Sequence, residues 1–252
     1  SLPNNPFIIA INTSNQDLDQ TGLPDDQWFK IGGENANGAG KNRDLAKTYW
    51  KNFFASVKGT DTNLNALQTF LGFYEEVLFH PTDQTFIISV FSSDGGTGSG
   101  IGPMFTTLLT NYINTTDGFS YNGKEYKIDD NTYTVPRPVV VGLTAKCSLD
   151  VGESNLQNAI ESFLDIQNAI DKGIGNFFIA DNALDPSVQY KSTDEMYKII
   201  NARIVTPLVK FLGIEMNSDV KCLDLQDKIN TLRIPGCSSF TSVSEPNNYQ
   251  YV

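Results

Sequence analysis

Five glycines fall between positions 95 and 102, in the stretch SSDGGTGSGIGP that follows the apolar run TFIISVF and leads into PMFTTLLTNYI. Residues without a Cβ let the backbone turn sharply, admit a bulky group close to the main chain, and let several N–H groups point at one place. Between a buried strand and a helix start, such a cluster suits an anion. The helix it feeds is expected at about 103–113, with Pro103 in its first turn.

The rest of the chain alternates strands with helices. PFIIAINT at 6–13 reads as a buried strand, and helices are expected from 43 (RDLAKTYWKNFFASV) and from 63 (NLNALQTFLGFYEEVLF). TFIISVF follows at 85–91. A polar stretch with hairpin character comes next, and its Asn122-Gly123 pair suits a tight turn. RPVVVGLTA at 137–145 is a third strand, a helix covers about 154–171, and NFFIADN is a fourth strand. STDEMYKIINARIVTPLVKFLG then opens with capping residues and keeps a helical period, broken only by Pro207.

That order implies an α/β fold, Rossmann-like, with a mostly parallel sheet and helices on both faces. Ligands in such folds collect at the carboxyl ends of the strands. Four loops stand there: NTSNQD, SSDGGTGSG, TAKCSLDVGES and ADNALD.

Composition narrows the chemistry. The 252 residues are 40% hydrophobic and 19% charged, ordinary for a globular chain. With 18 Lys and Arg against 29 Asp and Glu, the formal charge of −11 argues against direct nucleic-acid or anionic-membrane binding. No apolar run reaches the roughly 20 residues of a membrane-spanning helix, and SLPNNPF lacks the basic start and apolar core of a signal. A soluble, cytoplasmic protein is expected. Cys147, Cys222 and Cys237 show no metal-ligand spacing and read as reduced, partly buried thiols. The single histidine, His80, sits in the turn LFHPTDQ and reads as structural, so carboxylates, backbone amides and a bound metal must carry any catalysis.

Two common phosphate motifs are absent. NANGAGKN has Gly40-Lys41 but Asn35 and Asn42 where a Walker A loop needs glycine and a hydroxyl, and no G-x-G-x-x-G opens the first strand-to-helix turn.

Gly95-Gly96-Thr97-Gly98-Ser99-Gly100 instead resembles the GGGTGSG signature of the tubulin and FtsZ superfamily. The order of the remaining loops is similar too: INTSNQDLD, GGENANGAGKNRD, DGGTGSG, the segment around CSLDVGES, and ADNALD stand where that family has its successive nucleotide loops. The spacing of INTSNQDLD and GAGKNRDLAKTYW resembles the phage and plasmid members of the TubZ and PhuZ type. Asp94 stands where the family usually has glycine, and Cys222 where its seventh loop has asparagine.

The resemblance implies GTP or GDP as ligand, with Mg²⁺. The amides of Gly95 to Gly100 would cradle the inner phosphates, with the Thr97 and Ser99 hydroxyls as further donors. Gly38, Ala39 and Gly40 would form a loop against the γ-phosphate, although the residues alone also allow a plain surface turn. Asn12 belongs to the polar loop after the first strand. Glu153 would contact the ribose, with Asp150 as the competing choice. Asn182 would meet the base edge, Tyr190 would stack on it, and Asp194, one turn on, would accept from guanine. By spacing alone Tyr190 is more often a packing aromatic, so the guanine assignment rests on the resemblance.

Leu223-Asp224-Leu225-Gln226-Asp227 resembles the family's seventh loop, which completes the next subunit's site in a head-to-tail filament. Asp224 and Asp227 would then be the catalytic pair, orienting water or a cation in trans. Read without the resemblance, the same two acids suit a solvated helix start. The expected organisation is a GTPase domain over 1–190, a long core helix over 191–213, and the catalytic loop with the beginning of a further domain over 214–252. The family's first strand and first glycine loop are expected to be missing ahead of PFIIAINT, and most of its second domain after RIPGCSSFTSV. The implied role is a filament-forming GTPase that positions or segregates phage or plasmid DNA through a DNA-binding adaptor.

Overall fold

The computed structural model describes residues 6–32, 36–56, 70–128, 135–145, 152–180, 191, 192, 195, 196, 198–202, 204 and 224–240. Its centre is a parallel sheet of four strands in the order β3 (Phe86–Phe91), β6 (Val139–Ala145), β7 (Asn176–Ala180) and β8 (Gly236–Phe240). A parallel pair, β1 (Ala10–Asn12) with β2 (Trp28–Lys30), stands apart from it, and β4 (Gly118–Tyr121) with β5 (Lys124–Lys127) forms an antiparallel hairpin. The helices are α1 (Asn15–Asp19), α2 (Arg43–Ser56), α3 (Glu75–Leu78), α4 (Thr97–Thr115), α5 (Glu153–Asp171) and α6 (Leu225–Arg233).

The central strand β6 reads VVVGLTA and is buried along all but its last residue, as a parallel strand covered on both faces must be. Its side chains alternate between two cores. Val140 joins Ile101, Leu109, Trp50 and Phe79 beneath α2 and α4. Val139, Val141 and Leu143 point the other way, onto Ile229 and Leu232 of α6 and onto Ile200 and Ile204. The fold is therefore the expected α/β sheet with helices on both faces. Phe79, fully buried, contributes roughly 1.5–3 kcal/mol by leaving water, and it stacks on Phe119 of the hairpin with centroids 5.1 Å apart.

Local signals explain most boundaries. The Asn42 side chain accepts from Leu45 N–H at 2.9 Å and so caps α2, whose Arg43, Ala46 and Trp50 then share the buried face. The hairpin turns at Asn122 and Gly123, both with positive φ (50° and 72°), as that dipeptide suggests. His80 keeps its structural role: its Nδ1 accepts from the N–H groups of Thr82 and Asp83, and its ring meets Tyr121 edge-on at 4.9 Å.

Five differences from the sequence reading stand out. Helix α4 begins at Thr97, not near 103, so the glycine run supplies its first turn and Pro103 lies inside it. The helix expected from 63 is interrupted at Phe73–Tyr74 before α3, and residues 63–69 lie outside the described set. The strand expected over 6–13 is only three residues long. Cys237 is exposed rather than partly buried, while Cys147 and Cys222 lie outside the described residues. Two strands, β2 and β8, were not foreseen; β8 pairs with β7 in register from Asn176↔Gly236 to Ala180↔Phe240.

Candidate functional site

The glycine run is a tightly packed helix start. Gly96 caps α4 in helical geometry (φ −76°, ψ −54°) with no side-chain partner. A helix beginning at Thr97 leaves its first N–H groups without intrahelical acceptors, at the positive end of its dipole. The Gly95 N–H donates to Ser92 Oγ at 3.0 Å, and the Ser99 hydroxyl, fully buried, donates back to the Gly95 carbonyl. What Ser99 offers a ligand is thus its main-chain N–H.

The absence of side chains has a second cause here. A Cβ on Gly98 would stand 2.8 Å from Ser92 N and 2.9 Å from Ser92 O, and one on Gly100 would stand 2.9 Å from the Arg43 carbonyl. One on Gly96 would meet Asn42 N at 2.9 Å. One on Gly102 would enter the Phe91 ring. These glycines let α4 seat directly on β3 and on the start of α2, which draws the 38–42 loop against the glycine turn.

Three loops meet at this end of the sheet. Thr13, fully buried after β1, places its hydroxyl 2.7 Å from that of Thr97. Its carbonyl accepts from the Gly38 N–H at 3.1 Å. Ser93 donates from its hydroxyl to the Ala145 carbonyl at 2.7 Å, fastening the glycine turn to the end of β6. Asn12 shapes its own loop: its Oδ1 accepts from Thr13 N–H at 2.7 Å, and its Nδ2 donates to Asp17 at 3.2 Å. Ala39 is buried between these loops, while Gly38 and Gly40 turn the chain with φ of 89° and 56°.

The carboxylate of Asp94 is held to one side of the glycine turn. Ser92 Oγ donates to its Oδ1 at 3.2 Å, and Asn155 Nδ2 of α5 reaches its Oδ2 at 3.5 Å. Glu153 is the exposed first residue of α5. Asn182, Tyr190 and Asp194, with Asp150, lie outside the described residues.

Asp224 caps α6, its Oδ1 accepting from the Asp227 N–H at 2.8 Å, and both acids are exposed. Among the described residues no hydrogen bond or ion pair joins either acid to the glycine turn. The other end of α6 lies at the amino ends of the strands, where Asn176, at the start of β7, donates to the Leu232 carbonyl at 3.2 Å. A groove of about 410 Å³, lined by Thr110, Arg137, Asn176 and Arg233, opens at that same end of the strands.

Thr13, Arg43 and Asn158 are the site residues that sequence reasoning missed. Thr13 sits 84 residues from its partner and lies inside the quoted INTSNQD motif, so its loop was visible but its contact was not. Arg43 likewise falls inside the quoted GGENANGAGKNRD loop, whereas Asn158 carries no motif signal.

No protein-family model matches the sequence, and no curated protein matches it. Solved structures do. CetZ1 from Haloferax volcanii, solved as a GDP-bound monomer, is 21% identical with a TM-score of 0.56 over 91% of this chain and 55% of that one. An FtsZ mutant from M. jannaschii is 19% identical with a TM-score of 0.55, covering 92% of this chain and 55% of its own. TubZ from bacteriophage PhiKZ, solved as a protofilament, is 18% identical with a TM-score of 0.53, covering 92% and 56%. The chain spans about half the length of these proteins. Among the described residues no helix is long and apolar enough to cross a membrane. With helices on both faces of a parallel sheet and a glycine-rich turn feeding α4, the chain has the fold of the tubulin/FtsZ GTPase domain.

Proposed function

We propose that this chain binds GTP at the rim formed by residues 12–14, 38–42 and 93–99, assembles head to tail into filaments, and hydrolyses GTP at the subunit contact. The observation that carries the reading is the 2.7 Å contact between Thr13 and Thr97, which brings the first polar loop and the glycine turn to one point. Free N–H groups at the start of α4 suit the inner phosphates, and the Gly38–Gly40 turn, tied to Thr13, suits the terminal one. The relatives' structures support the same reading, one holding GDP and one forming a protofilament.

In this proposal Asn182, Tyr190 and Asp194 select guanine, Glu153 meets the ribose, and Mg²⁺ accompanies the triphosphate. Asp224 and Asp227 act on a neighbouring subunit's nucleotide, which fits their exposure and their lack of contact with their own glycine turn. Phosphoryl transfer needs chiefly positioning and charge stabilisation, so a pair of acids delivered by assembly couples turnover to polymerisation. A head-to-tail contact that does not close on itself gives an open filament. Residues 1–190, 191–213 and 214–252 serve as GTPase domain, core helix, and catalytic loop with the start of a further domain. The filament acts in the cytoplasm of a bacterial host and moves phage or plasmid DNA through an adaptor.

Asp94 favours a second reading, in which the protein is a non-hydrolysing structural homologue: a carboxylate beside the phosphate cradle opposes the charge that a triphosphate brings. Calorimetry with GTP and GDP, followed by sedimentation and light scattering with GTP and a slowly hydrolysed analogue, tests both. Binding with disassembly only in GTP supports the GTPase, whereas equal polymer lifetimes support the structural homologue. Absence of guanine-nucleotide binding ends both.

A further inference from the structure

The amide of Asn158 serves two loops at once. Its Nδ2 donates to the carbonyls of Lys41 at 2.9 Å, Asp94 at 3.3 Å and Gly95 at 3.3 Å. Only nitrogen can face three carbonyls, so the partners themselves fix the orientation of the amide. Two N–H bonds shared among three acceptors make a three-centred arrangement, and with Asn158 only 6% exposed little water competes for it.

What it holds would not stay in place unaided. Gly40 and Lys41 both lie in the left-handed region, with φ of 56° and 62°, and a lysine persists there only where its surroundings impose it. The bond to the Lys41 carbonyl is such an imposition. Asn158 is itself anchored through its own carbonyl, which accepts from Arg43 Nη1 at 3.3 Å; the 3% exposed Arg43 is fastened to Asp165 at 2.5 Å and Glu161 at 3.3 Å on the same helix. One turn earlier on that face, Asn155 reaches the Asp94 carboxylate.

We propose that Asn158 is a positioning residue that clamps the 38–42 loop to the 94–96 turn, so that the groups meeting the terminal and inner phosphates are set in register before nucleotide arrives. The consequence for nucleotide choice rests on the function proposed above. Without the clamp, a triphosphate, which needs both loops, loses more affinity than a diphosphate, which needs chiefly the glycine turn.

The test compares the wild-type chain with Asn158→Ala and Asn158→Asp. Asn158→Ser, small and still polar, carries the measurement if the alanine variant does not fold. Hydrogen exchange on the nucleotide-free chain is expected to show the hydrogen-bonded loop amides of Gly38, Asn42 and Gly95 exchanging about tenfold faster in the variants, with β6 amides unchanged. Asn158→Asp is expected to show the larger effect, because an oxygen would then face three carbonyls. Unchanged loop exchange, or an equal rise in β6, overturns the clamp. In calorimetry, the affinity ratio of a slowly hydrolysed GTP analogue to GDP is expected to fall about tenfold in the variants. A preserved ratio alongside faster loop exchange overturns the assigned consequence. If the wild-type chain binds neither nucleotide, the functional proposal fails while the exchange arm still judges the clamp.

Discussion

The hydroxyls of Thr13 and Thr97 lie 2.7 Å apart although 84 residues separate them in the chain. Thr13 is fully buried and follows β1, while Thr97 opens α4, so this contact joins the β1–β2 pair to the end of the main sheet. Its removal gives the first prediction. Thr13→Val keeps the shape and deletes the hydroxyl, costing about 1 kcal/mol of local order. GTP affinity measured by calorimetry should fall about fivefold, with the thermal midpoint lowered by only about 2–4 °C; unaltered affinity would show that the contact does not set the site.

Gly98→Ala should be harmful for a packing reason. The new Cβ would press within 2.9 Å of the Ser92 backbone, which cannot move without shifting β3. A loss of about 1–3 kcal/mol is expected in urea unfolding. Gly95→Ala meets only the Ser92 hydroxyl, a movable side chain, and should cost less. Equal costs for the two variants would contradict this account.

Arg43 is buried but its acidic partners are half exposed. Removing one acid leaves the other to compensate, so Asp165→Ala or Glu161→Ala should each cost about 1 kcal/mol, discounted for solvent screening. The double variant strands a buried guanidinium and should lose about 3 kcal/mol, more than the sum. A double-mutant cycle in urea checks this, and strict additivity would refute it.

Replacing Asp94 with glycine removes a negative charge beside the proposed phosphate cradle. Asp94→Gly should tighten triphosphate binding several-fold, with a smaller gain at high salt because the repulsion is screened. Calorimetry at two ionic strengths reads the effect, and weaker binding would place Asp94 among the ligand's partners.

Asp224 has two roles to separate, since it caps α6 and is the proposed acid for a neighbour's nucleotide. Asp224→Ala should cost about 1 kcal/mol of stability, leave GTP affinity nearly unchanged, abolish phosphate release and prolong filaments. Asp224→Ser restores a capping oxygen but not a carboxylate, so stability should return without turnover. Turnover recovered by serine, or GTP binding lost in the alanine variant, would remove Asp224 from the trans role.

Reading the chain without its fold located most of the elements that carry the site. Continuous apolar runs placed β3, β6 and β7, and the 3.6-residue period placed α2 and α5, close to where they stand, because a parallel strand covered on both faces reads as an unbroken apolar stretch. The strands β2 (WFK) and β8 (GCSSF) escaped notice because neither carries an apolar run like that of β7, itself only five residues long, and they gain their identity from a neighbour. The start of α4 was placed too late because glycine is a poor helix former in isolation. Here the close seat against Ser92 and Arg43 outweighs that preference.

The linear order of residues was enough to establish an α/β sheet, a glycine turn at its carboxyl end and an excess of negative charge, since these depend on composition and local spacing. Which side chains fasten that turn depended on folding. Thr13, Arg43 and Asn158 become neighbours of Thr97 and Gly95 only when helices from distant segments pack on one sheet, and a hydrogen bond across 63 or 84 residues leaves no periodic trace in either segment.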